Sequence, residues 1–344
     1  MKPATTPFPH DALGITSTIP IEIPLAAGRR VLDLNNRFIG ADSPLRFVKR
    51  AENEGFPRTC CSWIRGLFGL IRETGVRRVI FVTGGDCSNT HAMLETLLPD
   101  LEEIHTFSFP YPPDPIALRH ELGRFCGAFG ISLAAAEQTG LLLAPIRRDL
   151  AELDRLTWQE NLVMGGENHL FLVSSSDFDG NPEEFHNRLR KLLAEARGRT
   201  PRLSGPRLGI IGVPPINTDL HDLLESLGAR IVFNEIPRQF AMTGPETDLT
   251  ARYTAFTYPY GVWPRIADIQ REILRRSLDG LVHYTQAFCH RQIHDIMLRR
   301  EIRVPVLTIE GENPGPTDQR TRLRLESFLE ILTRTSGEKR KGPA

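Results

Sequence analysis

Three cysteines, Cys61, Cys87 and Cys289, stand at one kind of place: each follows turn-forming residues and precedes a stretch whose apolar side chains return at helical spacing. The clearest case lies within residues 278–307. Residues 280–286 are rich in β-branched and aromatic side chains and read as a strand. From Arg291 the positions Ile293, Ile296, Met297 and Leu298 follow helical spacing, and residues 304–309 read as a second buried strand. Cys289 therefore sits in the turn of a βαβ unit. In open parallel sheets the crevice outside the carboxyl ends of the strands receives ligands, and the free amides of a helix start favour an anion there. A thiolate is such an anion, and the helix start is expected to lower its pKa.

Cys87 repeats the arrangement, with an apolar run at 79–82, turn-forming residues at 83–90 and helical spacing from His91. Cys61 follows the loop at 54–59 and precedes Trp63, Ile64, Leu67, Phe68, Leu70 and Ile71, with Thr59 as the expected helix cap. Three thiols from distant segments, each at a helix start, are what a metal or cluster cradle assembled by folding requires. The competing reading is simple burial. Free cysteine is among the most buried residue types, and Cys126, inside the apolar pattern around Phe125, reads that way. Zinc competes weakly: His290 and His294 are spaced for one helix face, but the paired C-x-x-C of structural zinc sites is absent, and the two histidines read as a solvated face. Cys60 adjoins Cys61, and because neighbouring side chains diverge, one of the two is expected to face the site.

These turns need elements to carry them, and the chain is long enough to supply them. Its 344 residues allow two domains of ordinary size, and 40% hydrophobic with 24% charged residues is the composition of a soluble globular protein. Acids and bases balance at 42 each, so the overall charge makes no case for nucleic acid or an anionic membrane surface. No apolar run approaches a membrane span, and the first residues have neither a basic start nor a hydrophobic signal core. A cytoplasmic location is expected. Five cysteines are too few for a disulfide scaffold, and a reducing compartment suits iron-binding thiolates.

In order, residues 1–13 are Pro-rich and read as loose, and 14–18, 23–28 and 31–34 read as strand, helix and strand. Residues 104–109 read as a strand stopped by the proline cluster at 110–115, and 116–129 as a helix. Residues 141–161 carry helical spacing, Thr157-Trp158-Gln159-Glu160 resembles a capping box opening a further helix, and 177–197 reads as a charged amphipathic helix. Residues 198–206 form the clearest linker. Beyond it, 207–213 reads as a buried strand, Pro214-Pro215 as a rigid turn, 220–227 as a helix and 231–233 as a strand. The expected fold is α/β, with two doubly wound Rossmann-like or flavodoxin-like domains and added helices. They are expected at 14–150 and 206–333, joined by a helical connection at 151–205, with flexible tails at 1–13 and 334–344. The three thiols are expected between the two.

A glycine-rich phosphate loop is missing. Neither G-x-G-x-x-G after a strand nor G-x-x-x-x-G-K-[ST] occurs, and Pro-Pro stands where a dinucleotide would need glycine, so the chain is not expected to hydrolyse ATP by itself. H-E-x-x-H, G-x-S-x-G and EF-hand patterns are absent too.

Together these features resemble the D-component family of 2-hydroxyacyl-CoA dehydratases, which includes benzoyl-CoA reductase subunits, over residues 14–333. The resemblance is carried by Ile19-Pro-Ile-Glu22, Ala26-Ala27-Gly28, Cys61-Ser-Trp-Ile-Arg65, Gly85-Asp-Cys-Ser88, residues 209–215 and 227–233, Phe288-Cys289, Glu310 and residues 320–326. It implies a 4Fe-4S cluster held by three cysteines, by position Cys61, Cys87 and Cys289, with one iron left for water or substrate. It also implies a separate ATP-dependent iron-sulfur activator that delivers one electron, a ketyl radical on an acyl-CoA thioester, and a second subunit, identical or related. One departure stands out: typical dehydratases of the family carry Asp directly after the second cysteine, whereas this chain reads Asp86-Cys87-Ser88. Arg65, Asp86 and Ser88 are open between substrate contact and helix capping. Three classes of function remain: a radical dehydratase or CoA-thioester reductase subunit, an iron-sulfur reductase or electron-transfer protein for a non-CoA small molecule, and a non-redox α/β protein with structural cysteines.

Overall fold

The protein is seen in a computed structural model that describes residues 8–244 and 248–341. Two four-stranded sheets, both wholly parallel, organise the chain. The first contains β1 (Ala12–Ile15), β2 (Arg30–Asp33), β3 (Arg78–Gly84) and β4 (Glu103–Ser108) in the order β2-β1-β3-β4. The second repeats that order with β5 (Arg207–Gly212), β6 (Arg230–Asn234), β7 (Gly280–Gln286) and β8 (Val306–Gly311), as β6-β5-β7-β8. Parallel strands must be covered on both faces, and all seven residues of β7 are buried, His283, Thr285 and Gln286 included. The expected α/β class with two doubly wound sheets is the observed one. In each sheet the chain reverses between its first and third strands, and the crevice at that switch point opens at the carboxyl ends.

The sheets share packing. One apolar core holds Phe38, Leu67 and Phe81 from the first half together with Ile210, Ile216 and Tyr284 from the second, and each such side chain contributes about 1.5–3 kcal/mol by leaving water. The segment after β6 also reaches back to the first half. Tyr253, in the helix Leu249–Ala255, donates its hydroxyl to Glu22 Oε2 at 2.8 Å and to Ile19 O at 3.0 Å. Glu22 is fully buried and also accepts from Arg147 at 2.7 Å and Arg252 at 3.1 Å. The IPIE motif at 19–22 thus ends in a buried carboxylate that ties three helices together.

Several local expectations are corrected. The first strand covers 12–15 rather than 14–18; Thr16 N donates to Ile80 O at 3.2 Å and its hydroxyl accepts from Val82 N, after which the chain turns away. The second strand stops at Asp33, whose carboxylate caps the helix Leu34–Ile39. Thr157-Trp158-Gln159-Glu160 opens no helix. Thr157 and Trp158 end the 26-residue helix Leu133–Trp158, and the Thr157 hydroxyl donates back to Leu153 O. That helix starts eight residues before the expected 141, where Ser132 accepts from Ala135 N. The charged helix begins at Pro182, capped by Asn181, with a separate 3-10 turn before it. Of the expected tails, residues 12 and 13 lie in β1 and the last helix runs to Lys341; residues 1–7 and 342–344 lie outside the described residues.

The helix Val262–Arg276, not anticipated, buries Val262, Ile266 and Ile269 at helical spacing together with charged side chains. Arg265 is held by Glu235 at 2.7 and 2.8 Å, and Arg276 by Glu272 at 2.6 Å and by Asp154 at 2.9 and 2.5 Å. Among the described residues no single helix is long and apolar enough to cross a membrane.

Candidate functional site

The carboxyl ends of both sheets open onto one cavity of about 530 Å3. Every loop at the two switch points reaches it: Thr16–Thr18 after β1, Asp86 and Cys87 after β3, Val213–Pro215 after β5, and Cys289 after β7, with Gln286 at the end of that strand. Cys61 enters from the start of the helix Ser62–Thr74.

Local backbone geometry puts the thiols there. Gly85 turns the chain after β3 with φ +86°, and a side chain in its place would meet Pro259 Cβ at 2.5 Å and Phe109 Cβ at 2.9 Å, so only glycine serves. Phe288, with φ +64°, makes the corresponding turn after β7 without glycine's freedom, a strained conformation beside a functional candidate. Cys289 then precedes a 3-10 turn, His290–Ile293, that leads into the helix His294–Glu301. Cys61 itself is the residue at the helix N-cap, in extended conformation, which displaces the expected Thr59. Cys60 does not line the cavity and packs against the core, so one of the two neighbours faces the site as expected. Cys126 lies in a different core, buried within the helix Pro115–Ala128.

The expected lowering of the thiol pKa values does not occur. Burial pushes Cys61 up to about 12 and Cys87 up to about 11, and it raises Cys289 as well. The backbone amides of Ile64, Asn89 and Arg291 pull the other way, as helix starts should, but desolvation by burial wins. The thiols lie near enough that Cys87 and Cys289 each raise Cys61 further.

Arg291, not anticipated, joins two of the cysteine turns. Its guanidinium donates to Gly85 O at 3.0 Å and to Tyr258 O at 3.1 Å and lies 4.3 Å over the Tyr258 ring. It thereby fastens the Cys289 loop to the turn that carries Cys87. Asp86 lines the cavity and accepts from the Tyr258 hydroxyl at 3.4 Å; burial pushes its carboxyl up to about 6 against the pull of Arg291. Arg65 is buried outside the cavity and donates to Glu52 at 2.5 Å and Ser62 at 2.8 Å, which locks the helix bearing Cys61 to the helix Leu45–Asn53. Ser88 is exposed at the start of the helix Asn89–Leu97 and makes no capping bond. His290 lines the cavity and His294 does not; His294 Nδ1 lies 3.4 Å from Arg265.

Polar atoms in the cavity lack partners. Thr18 Oγ1, Trp63 Nε1 and Gln286 Oε1 are buried with no hydrogen bond from the protein. Buried polar groups are normally satisfied, so such a concentration marks a place built for something else to bind. Farther along the wall stand His169, His221 and Glu225, which no motif in the sequence singles out.

Among the described residues no group of three or more His, Cys, Asp or Glu is gathered tightly enough for a single metal ion. A polynuclear cluster spreads its metal atoms and accepts thiolates farther apart than one ion does. Soft thiols on three separate turns, next to helix amides and lining one cavity, are a donor set that suits iron and sulfide. The metal charge would also reverse the burial effect that keeps these thiols protonated.

A family model described as 2-hydroxyglutaryl-CoA dehydratase, D-component, matches residues 16–332. No curated protein matches the chain.

Proposed function

Because the chain belongs to the 2-hydroxyglutaryl-CoA dehydratase D-component family, we propose that it is an enzyme subunit in which Cys61, Cys87 and Cys289 hold a 4Fe-4S cluster. The reaction is dehydration or reduction of a small acyl thioester. The observation that carries this reading is that three turns, distant in sequence, deliver one thiol each to a single cavity. When bound, the cluster supplies a site for one-electron transfer and an iron open to substrate oxygen.

The chain's own residues do the rest. Cys61, Cys87 and Cys289 give up their protons on loading, and Arg291 keeps two of their turns in register. The apolar wall, with Ile64, Leu67 and Val213, excludes water from the reacting group. Thr18, Trp63 and Gln286 offer hydrogen bonds that orient the substrate. With no nucleotide loop in the sequence, the electron comes from a separate ATP-hydrolysing activator, and a second subunit, identical or related, completes the enzyme.

A second reading, an iron-sulfur reductase for a small molecule without CoA, is favoured by the wall itself. Among the described residues Asp33, Asp86, Glu167, Asp222 and Glu225 line the cavity against Arg291 as the one arginine or lysine, a poor setting for anionic phosphates. The assay is anaerobic: a 2-hydroxyacyl-CoA, reductant, ATP and activator are supplied, and enoyl-CoA is measured. Its appearance, dependent on ATP, supports the dehydratase; its absence from a cluster-loaded sample overturns that reaction and leaves the second reading.

A further inference from the structure

The cavity has an arm that the thiols do not explain. It is built by the helix Gly165–Ser174, carrying His169, and the helix Leu220–Ser226, carrying His221 and Glu225. Glu225 is 7% exposed. Its Oε1 accepts from Gly165 N at 2.8 Å, while Oε2 is buried and has no partner. Arg202 lies 4.0 Å from Oε1 and donates to the Glu225 carbonyl at 3.4 Å. Burial raises the Glu225 carboxyl, and Asp222 and Glu167 add to the effect. Glu167 is already paired with Arg199 at 2.6 and 2.8 Å, so Arg199 is committed elsewhere.

The histidines add acceptors rather than charge. Burial lowers both, and their rings lie 4.3 Å apart, an arrangement for neutral imidazoles. Asn234 donates its amide to Gly165 O at 3.0 Å and Asn168 Oδ1 at 2.8 Å, which turns its own oxygen toward His221 Nε2 at 2.9 Å. His221 is therefore protonated on Nε2, and its Nδ1 is an acceptor. His169 Nδ1 is buried without a partner.

We infer that this arm receives a positively charged, hydrogen-bond-donating group of the substrate, a primary amine or guanidinium rather than a carboxylate or phosphate. Glu225 Oε2 takes the charge, and the imidazole nitrogens take the remaining N–H groups. Asp222, exposed at the cavity wall, adds the same sign of potential from farther out. Acids outnumber bases on the wall, and among the described residues the one arginine or lysine lining it, Arg291, is occupied by two carbonyls. The inference rests on the cavity being the substrate site, and it applies whether or not that substrate is a CoA thioester.

The test uses the full chain and three probes of one length, pentylamine, 1-pentanol and pentanoate, titrated calorimetrically at neutral pH, with the iron content of every sample recorded. Pentylamine is expected to bind about tenfold tighter than pentanoate, the size of one hydrogen bond to a charged group. Glu225→Gln should abolish most of that preference with the circular dichroism unchanged. Should Glu225→Gln not fold, Asp222→Asn decides, with an expected two- to threefold loss of the preference, roughly the scale of an exposed charge. Pentanoate binding as tightly as pentylamine, no binding of any probe, or a preference unchanged in the deciding variant overturns the inference. Loss of the amine preference in iron-loaded protein counts against this arm alone, and an intact preference in protein that takes up no iron counts against the cluster alone.

Discussion

Cys87 and Cys289 occupy the same position in two different sheets. Each lies three residues past the end of the third strand of its series, β3 ending at Gly84 and β7 at Gln286. The same switch-point geometry, used twice, brings both to one cavity, and Arg291 fastens the two turns together. If that equivalence is functional, Cys87→Ala and Cys289→Ala should behave alike. Both should lose more than half of the bound iron, while Cys126→Ala keeps it and costs about 1 kcal/mol of stability, as a small core truncation does. Iron assay and urea melts on the three variants check this; retention by Cys87→Ala with loss from Cys289→Ala would break the equivalence.

Glu22 is predicted to be a stability hub rather than a reacting acid. Arg147 and Arg252 converge on it in a fully buried place, together with the Tyr253 hydroxyl. Glu22→Gln leaves two buried guanidinium groups short of their counter-charge, and breaking such a network costs about 3–5 kcal/mol. The urea midpoint should fall accordingly, with the slope of the transition unchanged.

The helix that carries Cys61 depends on close backbone approach. At Gly69 an added Cβ would lie 1.9 Å from Phe47 O, so the helices Ser62–Thr74 and Leu45–Asn53 must separate to admit it. Gly69→Ala is expected to cost at least about 1–3 kcal/mol by overpacking. It should also lower iron retention, because Cys61 moves with its helix. A variant with wild-type melting and iron content would contradict this account of how Cys61 is placed.

Arg29 and Glu103 join the starts of the two edge strands of the first sheet, at 2.9 and 2.7 Å. Arg29 holds the Glu103 carboxyl down to about 2, with His105 assisting. Because this folded-state value lies below the ordinary 4.5, the stabilisation is complete above that pH and disappears as the pH falls from 4.5 toward 2. The pair is partly exposed, so screening limits the effect to about 1 kcal/mol. Arg29→Met should lose this amount at neutral pH and nothing further at pH 2, as read by thermal melts across the range.

The strands β3 and β5 were legible because a doubly covered strand is largely apolar, and glycine marks the end of β3; the turn after β7 holds neither glycine nor proline and was placed by the helical spacing that follows it. Cys87 and Cys289 stood out at strand-to-helix turns, and Cys61 by the helical spacing that follows it. Val262, Ile266, Ile269 and Ile273 recur at helical spacing in a helix that was not anticipated, while its buried ion pairs through Arg265 and Arg276 join residues distant in sequence. Thr157 imitated a cap because a local pattern does not show that a helix is already under way. The direction of the thiol pKa shifts was misread because desolvation depends on a cavity that only the assembled sheets enclose. His169, His221 and Glu225 lie on helices whose meeting no spacing encodes.

The central claim is that three thiols hold one iron-sulfur cluster, and metal stoichiometry tests it most directly. The full chain, reconstituted anaerobically with iron and sulfide and then desalted, should bind about four iron atoms per chain with broad visible absorption. Cys61→Ala, Cys87→Ala and Cys289→Ala should each lose both signals, and Cys60→Ala and Cys126→Ala should keep them. A wild-type chain that binds no iron, or a Cys126→Ala variant that loses it as fully as Cys87→Ala, would contradict the account.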